Sequence, residues 1–309
     1  MKRRRAVSPA AKPRPASAPK ARPKADAPGQ RPLLVIDGDS FTHRSYHALP
    51  KTILRRGGKQ AGAIQGFANL LLRLYREERP RGVLVAWDTL DAPTYRQALF
   101  PAYQSGRAFD DPLVEQLEIL PSFVAACGFA NAKAPGYEAD DFLAAAAARE
   151  ERSGGTVLVA SGDRDTFQLA SGRTTILYPL RGGEIARIGP AEVRERYGVE
   201  PAQVADFIAL RGDPSDKLPG AAGVGAVGAA TILRQHGSLE AALKAGRFPA
   251  QAAQLRQFRT IATMNAKAPL PKLGAQRPSW SKAAALAEEW ELRQLAQRLA
   301  QLAAEAETR

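Results

Sequence analysis

The sequence predicts an α/β fold in which a parallel sheet is covered on both faces by helices. Four short apolar runs have the length and composition of buried strands. They are residues 33–36, 83–87, 156–160 and 174–178. Segments with helical spacing lie between or beside them, at 62–77, 112–127 and 138–151. Strands that alternate with helices of this length are typical of a parallel sheet.

The composition of the chain changes twice along its length. Residues 1–30 are rich in Pro, Ala, Lys and Arg without hydrophobic periodicity, which predicts a disordered basic tail. Residues 31–195 carry the α/β pattern, and residues 196–309 are helical with Gly-rich breaks at 220–228. The tail holds nine Lys or Arg and one Asp, so it carries +8 of the net charge of +13 and leaves +5 for the remainder. This charge favours a polyanionic partner, although it also serves solubility.

Several classes of protein are excluded by composition. The single cysteine, Cys127, excludes an intramolecular disulfide framework and a Cys-based zinc site. No run approaches the roughly 20 apolar residues of a membrane span. The basic N-terminus is followed by Pro, Ala and Ser rather than an apolar run, so it is not a secretory signal. We therefore expect a cytoplasmic protein with no membrane partner.

Acidic residues follow three of the four predicted strands. They are Asp37, Asp88, and Asp163 with Asp165. Because the carboxyl ends of parallel strands meet at one edge of a sheet, we expect these side chains to converge. Two more acidic groups lie at a predicted helix start and in a turn-like segment. They are Glu138, Asp140 and Asp141, and Asp213 with Asp216.

Each acid also has a purely structural interpretation. Acids at a helix N-terminus are favoured by the dipole, and Asp213 and Asp216 suit a turn. Taken together, however, so many like charges at one edge repel unless a cation compensates them. Oxygen ligands suit Mg²⁺ or Mn²⁺, and the three histidines have no zinc-type spacing. Two such ions about 4 Å apart activate water and stabilise the leaving oxygen of a phosphodiester, so the acids predict that chemistry.

Six segments occur in the order seen in the 5′ nuclease family, which includes the 5′–3′ exonuclease domain of bacterial DNA polymerase I, phage 5′ exonucleases and flap endonucleases. They are VIDGDSFTHRSYHAL, VLVAWD, PGYEADD, ASGDRDTFQL, ALRGDPSDKLPG and GVGAVGAATIL. The resemblance covers about residues 31–300 and is strongest to the polymerase I domain. Because the sequence begins with Met1 and carries no polymerase region, we expect a stand-alone form.

This resemblance implies a PIN-like sheet, a helical arch at about 93–111 and a C-terminal helix–hairpin–helix (H3TH) subdomain. It also implies two divalent ions, Mg²⁺ or Mn²⁺, held by two groups of acids. The first group is Asp37, Asp88, Glu138, Asp140 and Asp141, and the second is Asp163, Asp165, Asp213 and Asp216. Asp37, Asp88, Asp140 and Asp141 are expected to be catalytic.

The resemblance further implies residues that contact DNA. They are Arg44, Tyr46, Tyr103 and Gln104, together with Arg96 and Arg107, which are expected to act on the scissile phosphate. The family commonly has a lysine where this chain has Gln104, so a lower turnover is expected here. Tyr46 either stacks on a base or is a core aromatic residue.

Residues 223–228 match the pattern GxGxxG. A dinucleotide site needs a strand directly before this pattern and an acid about 20 residues later. The preceding DKLPG is not strand-like, and Glu240 lies in a helical stretch. We favour a helix–hairpin–helix element in which Gly223, Gly225 and Gly228 approach a duplex phosphate. The resemblance implies K⁺ there, and the absence of a family lysine in this segment implies a weaker grip on the duplex.

The leading hypothesis is a monomeric, nucleoid-associated 5′–3′ exonuclease and structure-specific flap endonuclease that acts on DNA with 5′ ends, nicks or flaps. One alternative is a DNA-structure-binding protein with weakened or lost cleavage, which Gln104 supports and the complete acid set opposes. Another is a PIN-type ribonuclease, which the second acidic group and the Gly-rich element oppose.

Overall fold

The computed structural model describes residues 31–89, 92–106 and 108–308. The predicted tail and Arg107 lie outside these residues. The strands are β1 (Leu33–Asp37), β2 (Leu54–Arg55), β3 (Lys59–Gln60), β4 (Gly82–Ala86), β5 (Ala130–Ala132), β6 (Val157–Ala160), β7 (Thr174–Pro179) and β8 (Ile185–Ile188). The helices of the first half are α1 (Gly38–Ala48), α2 (Gly62–Glu78), α3 (Tyr95–Leu99), α4 (Asp111–Ala126) and α5 (Ala139–Arg152). The later helices are α6 (Pro190–Tyr197), α7 (Val204–Arg211), α8 (Ala226–His236), α9 (Leu239–Lys244), α10 (Ala252–Ala262), α11 (Trp280–Glu289) and α12 (Arg293–Glu307).

The central sheet has six strands in the order β5-β4-β1-β6-β7-β8. The first five run parallel, and β8 pairs antiparallel with β7 at the edge. The predicted α/β architecture and its four main strands are confirmed. The sequence analysis did not predict α1, β5 or β8. β5 (ANA) and β8 (IARI) are short and each contains a polar residue, so neither forms a continuous apolar run like that of β6.

The middle strand shows why the sheet needs helices on both faces. All five residues of β1 are buried. Leu33 and Val35 belong to one core with residues of α5 and α7–α10, while Leu34 and Ile36 belong to a second core with α1, α2, α4, α11 and α12. A strand that is apolar on both sides reads as a continuous hydrophobic run, as this one does.

Strand register determines where the site lies. β1 pairs with β4 so that Asp37 stands opposite Ala86, and with β6 so that Ile36 stands opposite Ala160. The residues that follow these three strands therefore leave the sheet at the same edge. The predicted convergence of strand ends is confirmed.

The helical C-terminal part contacts both faces of the sheet. Helix α7 packs against α8 and α10, whereas α11 and α12 pack against each other and α11 packs against α4. No helix in the described part of the chain is long and apolar enough to cross a membrane.

Candidate active site

Asp37 ends β1 and caps α1. Its carboxylate accepts hydrogen bonds from the Ser40 backbone N–H at 2.9 Å and from the Ser161 hydroxyl at 2.7 Å. The side chain is 5% exposed, and this burial raises the pKa of Asp37 to about 7, although the two hydrogen bonds oppose the rise. Ser161, directly after β6, is a residue that sequence reasoning missed.

The end of β4 is fixed by contacts from both neighbouring helices. The Asp88 carboxylate accepts from the backbone N–H of Ala139 at 2.7 Å, which joins this strand end to the start of α5. The Asp88 backbone N–H donates to Asp39 at 2.7 Å. A Cβ on Gly38 would lie 2.4 Å from the Trp87 ring, so glycine is needed where α1 approaches β4. Asp39 thus positions the site, a role that the sequence did not indicate.

Glu138 and Asp140 lie at the start of α5. Glu138 accepts hydrogen bonds from Thr94 at 2.9 Å and from the Tyr103 hydroxyl at 3.0 Å. Burial raises the pKa of Glu138 to about 7, against the lowering influence of Arg96. The pKa of Asp140 is raised well above its usual range by burial and then by the negative charge of Asp163. The charge interaction between Asp140 and Asp163 therefore shows that the first acidic group lies near the second.

Asp141 and Arg96 form a buried ion pair. Asp141 is fully buried, and its two oxygens accept from the Arg96 guanidinium at 2.7 and 2.9 Å. One of these oxygens also accepts from the backbone N–H of Asn265 at 2.8 Å. Arg96 is 3% exposed, also contacts Glu138 at 3.1 Å and donates to the carbonyl of Ile261 at 2.9 Å. These contacts engage the Arg96 guanidinium and both Asp141 oxygens within the protein. The expected roles of Arg96 on a phosphate and of Asp141 on an ion stay predictions.

Two tyrosines expected at the DNA surface are buried instead. Tyr103 is 3% exposed, and its hydroxyl is held by Glu138. Tyr46 is 4% exposed and donates to Asp110 at 2.9 Å, which favours the core interpretation of this residue. Neither ring is available for stacking on a base, because the surrounding core covers it.

The second acidic group comes from the segment after β6 and the loop between α7 and α8. The Asp165 backbone N–H donates to Asp163 at 2.9 Å. The pKa of Asp165 is raised well above its usual range by burial and then by the charges of Asp163, Asp213 and Asp216. Asp213 and Leu218 exchange two backbone hydrogen bonds of 2.8 Å, which closes the loop that carries Asp216.

The predicted DNA contacts lie in different surroundings. Gln104, at a left-handed φ of 47°, donates to Asp216 at 2.9 Å. Arg44 is exposed and donates to the carbonyl of Leu180 at 2.8 Å. Gly225 caps α8, and a Cβ on Gly223 or Gly225 would meet no atom within 4 Å.

Gly228 lies inside α8, near the Val224 side chain. No strand precedes this glycine segment in residues 212–222, where the backbone forms only an isolated bridge between Asp213 and Leu218, so the dinucleotide interpretation is excluded. Arg107 lies outside the described residues.

The chemistry of the donors fits a hard divalent cation. The side chains at this edge are carboxylates, several of them partly buried and near one another's charge, which is an arrangement that a cation relieves. Among residues 31–89, 92–106 and 108–308, no three acidic, His or Cys side chains are already arranged to hold an ion. The assignment of individual ligands therefore stays a prediction.

Two family models together match the chain from residue 32 to its end. Residues 32–198 match the N-terminal resolvase-like domain of 5′-3′ exonucleases, and residues 199–309 match the C-terminal SAM fold of the same enzymes.

The chain is also similar to individual proteins. A 5′-3′ exonuclease of Mycobacterium tuberculosis is 37% identical over 230 residues, which is 68% of this chain and 72% of that protein. The DNA polymerase I of the same organism is 41% identical over 210 residues, which is 67% of this chain but only 23% of the polymerase. A flap endonuclease of bacteriophage T5, solved as a pseudo-enzyme-product complex with DNA and metal ions, has the same fold. Its TM-score is 0.62 with 16% identity, covering 88% of this chain and 99% of that one.

Proposed function

The chain belongs to the 5′–3′ exonuclease family, and on that premise we propose that it is a metal-dependent 5′–3′ exonuclease and structure-specific flap endonuclease. The observation that carries this proposal is the meeting of acids from three strand ends, the start of α5 and the loop after α7 at one edge of the sheet. Asp140 is the clearest case, because the negative charges of Asp163, Asp37 and Asp88 all raise its pKa. The proposed substrate is DNA with 5′ ends, nicks or flaps.

We propose that two ions are held here and that they are Mg²⁺ or Mn²⁺, since the donors are oxygen atoms. The proposed ligands of the first ion are Asp37, Asp88, Glu138 and Asp140, and those of the second are Asp163, Asp165, Asp213 and Asp216. When bound, such ions supply an activated water and stabilise the charge on the leaving oxygen. For Asp141 we propose a positioning role and not a ligand role, because both of its carboxylate oxygens accept hydrogen bonds from Arg96.

The chain's own residues orient this centre. Ser161 and Ser40 hold Asp37 by hydrogen bonds, and the amide of Ala139 holds Asp88. Thr94 and Tyr103 hold Glu138 from the arch side, so the arch and α5 position that carboxylate together. Each acid is thereby kept in one orientation toward the sheet edge, which lowers the reorganisation needed during the reaction.

The duplex is expected to be bound by the helix–hairpin–helix element. Gly223 and Gly225 present backbone without a side chain at the start of α8, where nothing lies within 4 Å of an added Cβ. This open backbone at a helix N-terminus supports a phosphate contact. We propose a K⁺ ion beside it on the family resemblance alone. We further propose that residues 31–195 form the nuclease unit and 196–309 the duplex-binding unit. We also propose that the protein is a monomer in the cytoplasm, near the nucleoid.

The direct test is cleavage of a labelled 5′-flap DNA with Mg²⁺ or Mn²⁺, comparing the native protein with Asp140→Asn. We expect the native protein to release a short 5′ product and the variant to bind the flap without cleaving it. Asp140 is a better choice than Asp141, whose replacement would also break a buried ion pair. Cleavage by Asp140→Asn at the native rate would refute the site.

A DNA-binding protein with weakened or lost cleavage remains the second candidate, favoured by the uncharged side chain of Gln104 in the arch. Tight binding of the flap by the native protein, without product in either metal, would select it. A matched RNA flap in the same assay separates the DNA nuclease from a ribonuclease.

A further inference from the structure

Lys217 lies beside the second acidic group. It directly follows Asp216 in the loop between α7 and α8, and its backbone has a left-handed φ of 57°. The two hydrogen bonds between Asp213 and Leu218 hold the loop on either side of it. The loop therefore fixes the direction in which this exposed side chain leaves the backbone.

The Lys217 side chain spans the gap to the arch. Its ammonium donates to the Ser105 hydroxyl at 3.0 Å and also to the carbonyl of Ser105. Next to it, the Gln104 amide donates in the opposite direction, to Asp216 at 2.9 Å. These contacts connect the arch turn at 101–106 with the loop that carries Asp213 and Asp216.

The partners of the Lys217 ammonium differ from those of the two arginines near the acids. Arg96 is buried against Asp141 and Glu138, and Arg211 is paired with Asp213 at 3.2 Å. The two acceptors of the Lys217 ammonium, by contrast, are neutral oxygens. Gln104, on the facing turn, has no charge. A phosphodiester that enters between the turn and the loop would thus meet the ammonium of Lys217.

We propose that Lys217 binds a phosphate of the DNA strand at the second acidic group and positions it for cleavage. An ammonium on the residue next to Asp216 offsets the repulsion between the phosphate and the four carboxylates of this group. Because the hydroxyl and carbonyl of Ser105 are weak partners compared with a phosphate, the ammonium transfers to the substrate when the strand enters. This inference rests on the proposed nuclease function.

The test uses Lys217→Gln, Lys217→Arg and the double variant Gln104→Lys/Lys217→Gln in the full chain. Lys282→Gln is the matched control, because Lys282 is exposed on α11, which packs against α4 and α12. The first measurement is the salt dependence of 5′-flap binding in EDTA, where no hydrolysis occurs. Losing one phosphate contact should reduce the slope of log K against log salt by about 0.7–0.9 in Lys217→Gln. Lys217→Arg should keep the native slope.

The second measurement is the single-turnover cleavage rate with Mg²⁺. We expect Lys217→Gln to be slower by roughly 10- to 100-fold, and Gln104→Lys to restore part of the rate by returning a cation from the facing turn. A native salt slope in Lys217→Gln would overturn the proposal even if cleavage slows, since Lys217 would then only hold the turn. If the native protein does not cleave, the proposed function fails, while the salt slope still decides whether Lys217 binds phosphate.

Discussion

Replacing Arg96 by Met separates a structural role from a role on the substrate. The guanidinium makes two hydrogen bonds to Asp141, contacts Glu138 and donates to the carbonyl of Ile261, while its side chain is only 3% exposed. Methionine keeps much of the volume but leaves two buried carboxylates without their cation. Breaking a buried pair in this way costs about 3–5 kcal/mol of the free energy of unfolding. Most domains have only about 5–15 kcal/mol in total, so the loss should be large.

The assay is urea unfolding of the metal-free protein at pH 7.5, with Arg73→Met as the control. Arg73 pairs with Glu77 on the surface, where both side chains are 43% exposed, so its loss should cost less than about 1 kcal/mol. The part of the Arg96→Met deficit that comes from Glu138 should shrink as the pH falls through about 7, the pKa of Glu138 in the native protein. The reason is that Arg96 holds down the pKa of Glu138, and protonated carboxyls no longer need a cation.

One outcome would contradict this reasoning. If Arg96→Met unfolds within about 1 kcal/mol of the native protein at pH 7.5 but loses flap cleavage, Arg96 acts on the DNA phosphate after all. The expectation drawn from the family resemblance would then be right and the burial argument wrong.

Three further predictions concern Asp37, the divalent ions and the loop between α7 and α8. Asp37→Asn should stabilise the metal-free protein above pH 7 by at most about 4 kcal/mol, because above its raised pKa of about 7 Asp37 is a buried negative charge that asparagine removes. That gain should vanish below pH 4, where Asp37 is protonated in both states, and urea unfolding across this range checks it. Mg²⁺ at about 100 times its Kd should stabilise the native protein by about 2.7 kcal/mol, and Asp140→Asn should reduce this gain in a thermal melt. Gly220→Ala should lower the free energy of unfolding by roughly 1–3 kcal/mol or more, because φ at Gly220 is 77° and the added Cβ would lie 2.4 Å from the Gly212 nitrogen. Gly172→Ala is the control, since no atom lies within 4 Å of its added Cβ. An equal loss of stability in that variant would exclude the steric cause.

The sequence was most informative about the sheet and the acids at its edge. Strands β1, β4 and β6 consist mostly of continuous apolar runs, and such runs predict burial on both faces without any tertiary information. Because parallel strands share one carboxyl edge, Asp37, Asp88 and Asp163 could be grouped from their positions alone. The short strands β5 and β8 could not be predicted, since pairing with longer neighbours stabilises them.

The roles of neighbouring acids could not be read from the sequence. Asp140 and Asp141 are adjacent, and each step along a helix turns the side chain by about 100°, so the two point to different surroundings. Asp140 faces the charges of Asp163 and Asp37, whereas Asp141 faces Arg96, which lies 45 residues earlier in the chain. The motif contains both acids and does not say which one has a cation as its partner.

By itself, the sequence therefore determined the α/β sheet, the acidic edge and the family, because these depend on local periodicity and on the order of motifs. Only the tertiary structure decided which charged groups have partners within the protein. Arg96 and Tyr103 are buried and donate to the carboxylates of Asp141 and Glu138. Lys217 donates instead to Ser105, which lies 112 residues earlier in the sequence. The physical reason is that burial and ion pairing are set by long-range contacts, and these determine whether a charge can meet DNA.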